Sequence, residues 1–287
     1  MIYVTGGGGY VSPEIVRGLV AAGQRVRVLV ANPEESKGVE GPGIEVVVGD
    51  RRQPATFAHT LEGIVTALLL TRNAQDLVEM DAMFSQAAKA AGVGRVVKIS
   101  AFGANANAEP GAKRVHGLSE EAVKQAGVKW TFLRPQFFMQ NMLWFVNEVK
   151  TRGTISLPMK TGRVGMVDFR DLAAVAVKCL TDDAHAGQVY NLSGPELISI
   201  YDIADQLSRA VGTPIKYNDL PPEEFKQLLM SMGRPLWHAE DMTVSYTKMS
   251  LGASAVLTED VQRVLGCLAT PFAQVARDYA HLFRANP

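Results

Sequence analysis

Two stretches of this chain carry residue types at spacings suited to chemistry. The first is Thr5-Gly6-Gly7-Gly8-Gly9-Tyr10-Val11-Ser12. It follows the apolar run Ile2-Tyr3-Val4 and precedes Pro13-Glu14-Ile15-Val16-Arg17-Gly18-Leu19-Val20, where apolar residues recur at helical spacing. Four glycines therefore stand where a buried strand turns into a helix. A backbone without Cβ can take positive φ and lie flat against a ligand. The free N–H groups that open the helix then face that ligand, and the helix dipole favours an anion. A diphosphate meets the description, with Thr5, Gly6, Gly8, Gly9, Tyr10 and Val11 as candidate contacts. The spacing is Gly6-x-x-Gly9-x-x-Ser12, with Ser where a third glycine usually permits close helix–strand packing. The plainer alternative is a turn with surplus glycine, which costs about 0.5–1 kcal/mol of chain entropy per glycine without a task.

The second stretch is His116-x-x-x-Glu120, inside a helical pattern from Glu109 to Ala126. Residues four apart share a helix face, so imidazole and carboxylate can meet. A neighbouring carboxylate raises a histidine's pKa and favours an imidazolium able to donate a proton near neutral pH. His116 and Glu120 are thus the catalytic candidates, set against the plainer reading of an exposed His beside a helix-stabilising Glu. His59, His185, His238 and His281 have no spacing suited to a metal, and none is expected.

The elements that must position these residues alternate. Strands are expected at Arg25–Val30, Ile44–Val48, Ile64–Leu70, Val93–Ser100 and Trp130–Leu133, with a long helix from about Asp76 to Ala91. The pattern predicts an α/β, doubly wound parallel sheet with right-handed crossovers. Ligands of such sheets lie outside the carboxyl ends of the strands. Those ends supply the glycine loop, Ala31, Asp50, Leu70, Thr71-Arg72, Ser100 to Phe102, and Arg134 to Phe138. At the end of the second strand, dinucleotide sites place an acid for a free ribose 2′-OH, or an Arg for a 2′-phosphate. Here Ala31 and Asn32 stand there, while Arg51, Arg52 or Lys37 could bring charge from nearby. Asp50 has two readings, an adenine-facing acid and an N-cap before Pro54.

After Leu143 the pattern loosens into short extended pieces near 153–158, 165–170, 189–195 and 214–217. Helices follow Asp171 and Ser199, and later ones fall near 222–232, 238–250, 258–265 and 271–283. The larger domain is expected to comprise 1–134 plus about 164–185. A smaller, mostly helical substrate domain takes about 135–163 plus 186–287, leaving a cleft between them. The chain has 287 residues, 29 basic and 29 acidic, so no basic excess points to nucleic acid. Cys179 and Cys267 stand alone, which fits a reducing cytosol rather than a disulfide scaffold or zinc site. No apolar run approaches the roughly 20 residues of a membrane span. A cytoplasmic protein is expected.

The order of these pieces resembles the NmrA-like family of atypical short-chain dehydrogenase/reductases, nearly end to end. The carriers are Val4 to Gly9, the His116-Gly117-Leu118-Ser119-Glu120-Glu121 helix, Leu133 to Asn141, Val167 to Ala173, and Tyr190 to Pro195. The resemblance implies a Rossmann domain binding NADP(H), with NAD also admitted. It also implies one of two fates: reduction of quinones, azo or triphenylmethane dyes, or nucleotide binding as a non-catalytic redox sensor that regulates a protein partner. A homodimer is admissible. Members holding NADP often carry Arg where this chain has Ala31.

Ordinary short-chain dehydrogenases use Tyr-x-x-x-Lys, in which the ammonium lowers the phenol pKa. None of Tyr3, Tyr10, Tyr190, Tyr201, Tyr217, Tyr246 and Tyr279 has Lys four residues on. A sugar-nucleotide epimerase needs that pair and is discounted. Phe102, Phe137, Phe138, Met139, Asn141, Trp144 and Phe145 offer apolar surface near the expected nicotinamide. For Trp144 and Phe145 core packing is the better reading. Pro135 and Phe137 follow the strand end that meets the nicotinamide in this fold; Phe102, Phe138 and Asn141 are the substrate candidates. Lys98, inside a strand, is expected to snorkel rather than react.

Overall fold

A computed structural model describes residues 1–71 and 74–284, so the strand-end candidate Arg72 lies outside the described residues. In chain order the first elements are β1 (Ile2–Val4), α1 (Val11–Ala21), β2 (Val26–Val30), β3 (Ile44–Val48), α2 (Pro54–Thr60), β4 (Thr66–Leu69) and α3 (Leu77–Ala90). There follow β5 (Arg95–Ile99), α4 (Ala112–Gln125), β6 (Lys129–Pro135), α5 (Val146–Arg152), β7 (Thr154–Leu157), β8 (Arg163–Val164) and α6 (Phe169–Thr181). The chain closes with β9 (Val189–Leu192), β10 (Ile198–Ser199), α7 (Ile200–Val211), β11 (Lys216–Asp219), α8 (Pro222–Ser231), α9 (Leu236–Ser250), α10 (Asp260–Leu265) and α11 (Phe272–Phe283).

Seven strands form one sheet in the order β3-β2-β1-β4-β5-β6-β9, with every pairing parallel. The order reverses at β1: the chain first builds β2 and β3 to one side, then returns to lay β4 on the other. That reversal opens a crevice at the carboxyl ends of β1 and β4. Burial on both faces explains the near-continuous apolar strands. Tyr3, Leu29, Leu69, Val96 and Phe132 meet Phe57 of α2, Phe84 of α3 and Val123 of α4 in one core. Elsewhere in this unit α1 packs on α6, so closely that a Cβ on Gly18 would stand 2.8 Å from Val177 Cγ2.

The chain divides into two compact units. The first takes residues 1–135, 169–192 and 263–265; the second takes 136–168, 193–262 and the segment after 265. Two boundaries differ from expectation. Residues 186–192, expected in the smaller domain, return to the sheet because Val189 to Leu192 pair in register with Phe132 to Pro135. Residues 164–168, expected in the larger, belong to the smaller, where the 165–170 strand shrinks to a single bridge between Phe138 and Val167. Helix α6 also starts at Phe169, two residues before Asp171. The second unit pairs β7 with β11 and β8 with β10. Its core gathers Met139, Met142, Phe145, Ile155, Leu207, Phe225, Tyr246 and Phe272. Ser199 begins α7 in a capping box with Asp202.

Lys98 does not snorkel. Its side chain is 0% exposed, and Nζ lies 2.5 Å from Asp81 Oδ2, also 0% exposed. Asp81 further accepts from Ser119 Oγ and from Thr71 Oγ1. Breaking a buried pair from one side leaves an uncompensated charge, at a cost of about 3–5 kcal/mol. Asp81→Ala should therefore lower unfolding free energy by about that much in denaturant titration, while the paired change Lys98→Met with Asp81→Leu should recover most of it. Equal instability of the single and double variants would show that charge burial is not what the pair resolves.

Candidate functional site

The glycine loop lies at the sheet's reversal. Gly9 has φ +84°, and a Cβ there would meet no heavy atom within 4 Å. Positive φ is strained for any side-chain-bearing residue, so this glycine keeps an open, flat backbone. Behind it α1 begins at Val11, and the side chain of its N-cap residue Tyr10 makes no capping hydrogen bond. An uncapped helix start facing an open glycine is a ready anion cradle. Gly7 is needed for a different reason: a Cβ there would stand 2.7 Å from Val30 Cγ1 and 3.2 Å from Glu35 O. Ser12, at the third motif position, is fully buried. Tyr10 is 63% exposed, its ring lying 6.2 Å from that of Phe169 and nearly parallel to it.

Thr5 and Leu70 stitch the two central strand ends together. Leu70 N–H donates to Thr5 Oγ1 at 2.9 Å, and the hydroxyl donates to Leu70 O at 3.3 Å. Arg51 crosses the same ends, its Nη1 donating to Thr5 O at 3.1 Å and Leu70 O at 3.0 Å. It therefore sits beside Gly6, 3.7 Å from where a Cβ would be, and not at the end of β2. Arg52 is paired with Asp76 at 2.6 Å, and Lys37 with Glu34. Asp50 is not the N-cap of α2, a position held by Gln53; its exposed carboxylate accepts from Arg52 N at 2.9 Å. Asn32 caps a short 3-10 turn over Pro33–Ser36 by accepting from Glu35 N.

At the other side of the reversal, Ser100 follows β5 and Glu120 rises from α4. Ser100 Oγ donates to Glu120 Oε1 at 2.5 Å. Arg134, at the end of β6, grips the same carboxylate in a fork, Nε to Oε1 at 2.8 Å and Nη2 to Oε2 at 2.5 Å. A bidentate guanidinium fixes a carboxylate's plane as well as its charge. This corrects the expected pairing with His116: the cation that Glu120 holds is Arg134. His116 itself is buried, 7% exposed, and burial pushes its pKa down from 6.5 to about 3, with the Lys98 ammonium adding to the fall and Asp81 opposing it. It is a neutral imidazole in the folded protein, not the expected imidazolium.

The remaining candidates fall into two groups. In the first unit, Phe102 is half-buried and its N–H donates to Pro135 O at 3.1 Å, prolonging the β5–β6 ladder past Ser100. In the second, Phe137 stands edge-on to Tyr246 with centroids 4.9 Å apart. Phe138 and Asn141 are half-buried, and Asn141 N–H donates to Phe138 O at 3.1 Å. Phe145 is core, 2% exposed. Sequence reasoning missed three members of these sites. Arg134 was named only as part of a strand end, and Glu35 and Asp81 were given no role. Among the described residues no group of three or more His, Cys, Asp or Glu could hold a metal, and no helix is long and apolar enough to cross a membrane.

An open glycine turn and a bare helix start at the reversal of a parallel sheet define the dinucleotide-binding α/β class. The NmrA-like family model matches residues 1–260, and the chain belongs to that family. It is 34% identical over 285 residues to the NAD(P)H azoreductase of Xenophilus azovorans, covering 99% of this chain and 100% of that protein. It is 35% identical over 284 residues to the (4-alkanoyl-5-oxo-2,5-dihydrofuran-3-yl)methyl phosphate reductase of Streptomyces griseus subsp. griseus, covering 99% of each. The crystal structure of a Citrobacter sp. triphenylmethane reductase complexed with NADP(H) superposes with a TM-score of 0.84 at 25% identity, covering 98% of this chain and 100% of that one.

The buried imidazole has a measurable signature. Its folded pKa lies below its unfolded one, so the unfolded state binds the extra proton between them. Stability from this group is complete above pH 6.5 and falls as pH drops toward about 3. The His116 ring carbons should show no chemical-shift titration between pH 5 and about 8 by NMR. A midpoint near pH 6.5 would contradict the burial argument.

Proposed function

We propose that this chain is an NAD(P)H-dependent reductase that transfers hydride to an aromatic or conjugated small molecule. Two of the proteins compared above carry reductant names of the same kind, NAD(P)H and NADP(H). The observation that carries the reading is the open, positive-φ Gly9 ahead of the uncapped start of α1. The residues present fit a dinucleotide there. Gly6, Gly8, Gly9, Tyr10 and Val11 would hold the diphosphate, Thr5 and Leu70 would fix the strand ends beneath it, and Arg51 would add a positive charge beside Gly6. Asn32, Asp50, Thr71, Ser100, Pro135 and Phe137 are the other proposed cofactor contacts. When bound, the reduced nicotinamide supplies the hydride.

What the chain itself adds narrows the acceptor. No tyrosine has a lysine four residues on, His116 is neutral, and Glu120 serves as an acceptor to Ser100 and Arg134. None of these groups offers an acidic proton at the moment of hydride transfer. A plain ketone needs one, because the oxyanion it would form is strongly basic. An azo bond or a quinone spreads the incoming charge over a conjugated system and can take its proton from water afterwards, and a cationic imine is neutralised by the hydride itself. An activated carbonyl conjugated to a double bond belongs to the same class, and the dihydrofuran named in the second relative is of that kind. Ser100, Glu120 and Arg134 act as a rigid floor: the fork holds α4 to the end of β6, and the serine hydroxyl holds β5 to both. Phe102, Phe138 and Asn141 are the proposed acceptor contacts.

Three measurements test this. NADH or NADPH oxidation should be seen with azo dyes, quinones and cationic imines, and should be weak with unconjugated ketones. Tight nucleotide binding without turnover across that panel would replace the reductase reading with that of a redox sensor. The kcat/KM profile should lack a limb near pH 6.5, since His116 does not titrate there. Gly9→Val should retain the fold, by circular dichroism, yet lose dinucleotide affinity, because a branched side chain at φ +84° strains the turn and fills the cradle. Unchanged affinity in a folded Gly9→Val protein would sink the assignment.

A further inference from the structure

The end of β2 carries a carboxylate that its own residues do not supply. Ala31 follows the strand directly, and its N–H donates to Glu35 Oε2 at 3.2 Å. The reach from four residues on is made by the 3-10 turn over Pro33–Ser36, which Asn32 caps by accepting from Glu35 N at 3.2 Å. The same residue's main chain lies against the glycine loop, with Glu35 O 3.2 Å from the position of a Cβ on Gly7. Glu35 thus places its carbonyl close to the glycine loop and its carboxylate at the strand terminus. In dinucleotide folds this strand terminus faces the adenosine ribose, where a carboxylate accepts from a free 2′-OH.

The three described cations weighed for this strand end, Arg51, Arg52 and Lys37, all bond to other groups. Arg51 lies across Thr5 O and Leu70 O, Arg52 is paired with Asp76, and Lys37 with Glu34. A 2′-phosphate carries a charge of about −1.5 to −2 at neutral pH, and set against a carboxylate it would be repelled. A 2′-hydroxyl in the same place donates a hydrogen bond to it. From this we infer that Glu35 reads the adenosine ribose and that this chain binds NADH at least as tightly as NADPH. The inference rests on the dinucleotide reading of the glycine loop and adds the choice between its two forms.

The test is calorimetric titration of the full-length protein with NADH and NADPH, repeated with ADP-ribose and its 2′-phosphate to remove any nicotinamide contribution. Wild type should give a Kd for NADH no larger than that for NADPH. Glu35→Ala should weaken NADH and shift the ratio of the two Kd values about tenfold toward NADPH, as expected when a hydrogen-bonding partner of a substrate hydroxyl is removed together with a like charge. Glu35→Gln, which keeps the hydrogen bond and loses the charge, should move the ratio in the same direction by a smaller factor. Both Kd values come from one variant, so general loosening of the turn cancels in the ratio. Wild type favouring NADPH tenfold, or a ratio unmoved in Glu35→Ala, overturns the role of Glu35 while leaving the cradle intact. Failure of the wild type to bind either dinucleotide overturns both readings together.

Discussion

One buried carboxylate ties the first unit together. Asp81 rises from α3, fully buried, and takes donors from three other places: Lys98 in β5, Ser119 in α4 and Thr71 at the end of β4. A lone ammonium or carboxylate could not remain charged at that depth, and together they need the hydroxyls to fill the remaining acceptor positions. The arrangement is a geometric constraint more than a source of stability, since an apolar pair of equal volume would cost less to bury. Its consequence is that α4 can take only one register against the sheet. That register brings Glu120 to Ser100 and Arg134, and buries His116 within the influence of Lys98.

Charge in this unit is arranged by burial as much as by pairing. The α4 histidine is neutral because water is excluded from it, and the α4 glutamate finds a guanidinium from the neighbouring strand. Arg51 sits over strand-end carbonyls whose partial negative charge would otherwise be unbalanced at the mouth of the sheet. Hydride chemistry suits such a floor, since it asks the protein to hold donor and acceptor in place rather than to shuttle protons.

The strands and most helices were legible because a parallel sheet covered on both faces demands unbroken apolar runs separated by turn residues. The glycine loop was legible because its composition has a mechanical cause. What escaped were the contacts set by tertiary geometry. The four-residue spacing of His116 and Glu120 correctly placed both on α4, yet it could not show that Arg134, fourteen residues further on, would claim the carboxylate. Lys98 read as a snorkelling residue since its partner sits on another helix, at no fixed spacing. Glu35 was hidden by the search for an acid at the first position after β2, when a capped 3-10 turn brings one from four residues on. The return of β9 to the sheet was missed because its short apolar run looks the same whether it pairs with β6 or with a neighbour in the smaller unit.

The threading of the backbone has its own consequence for how this molecule is made and dismantled. Each unit is assembled from three separate stretches, and β9, the last sheet strand, is synthesised only after the first stretch of the smaller unit has emerged. No continuous fragment corresponds to either unit, so neither can be obtained by truncation, and one protease cut between them leaves them joined by the other passages. On the ribosome the sheet must wait with its β6 edge unpaired while residues 136–188 appear, a window in which aggregation competes with completion.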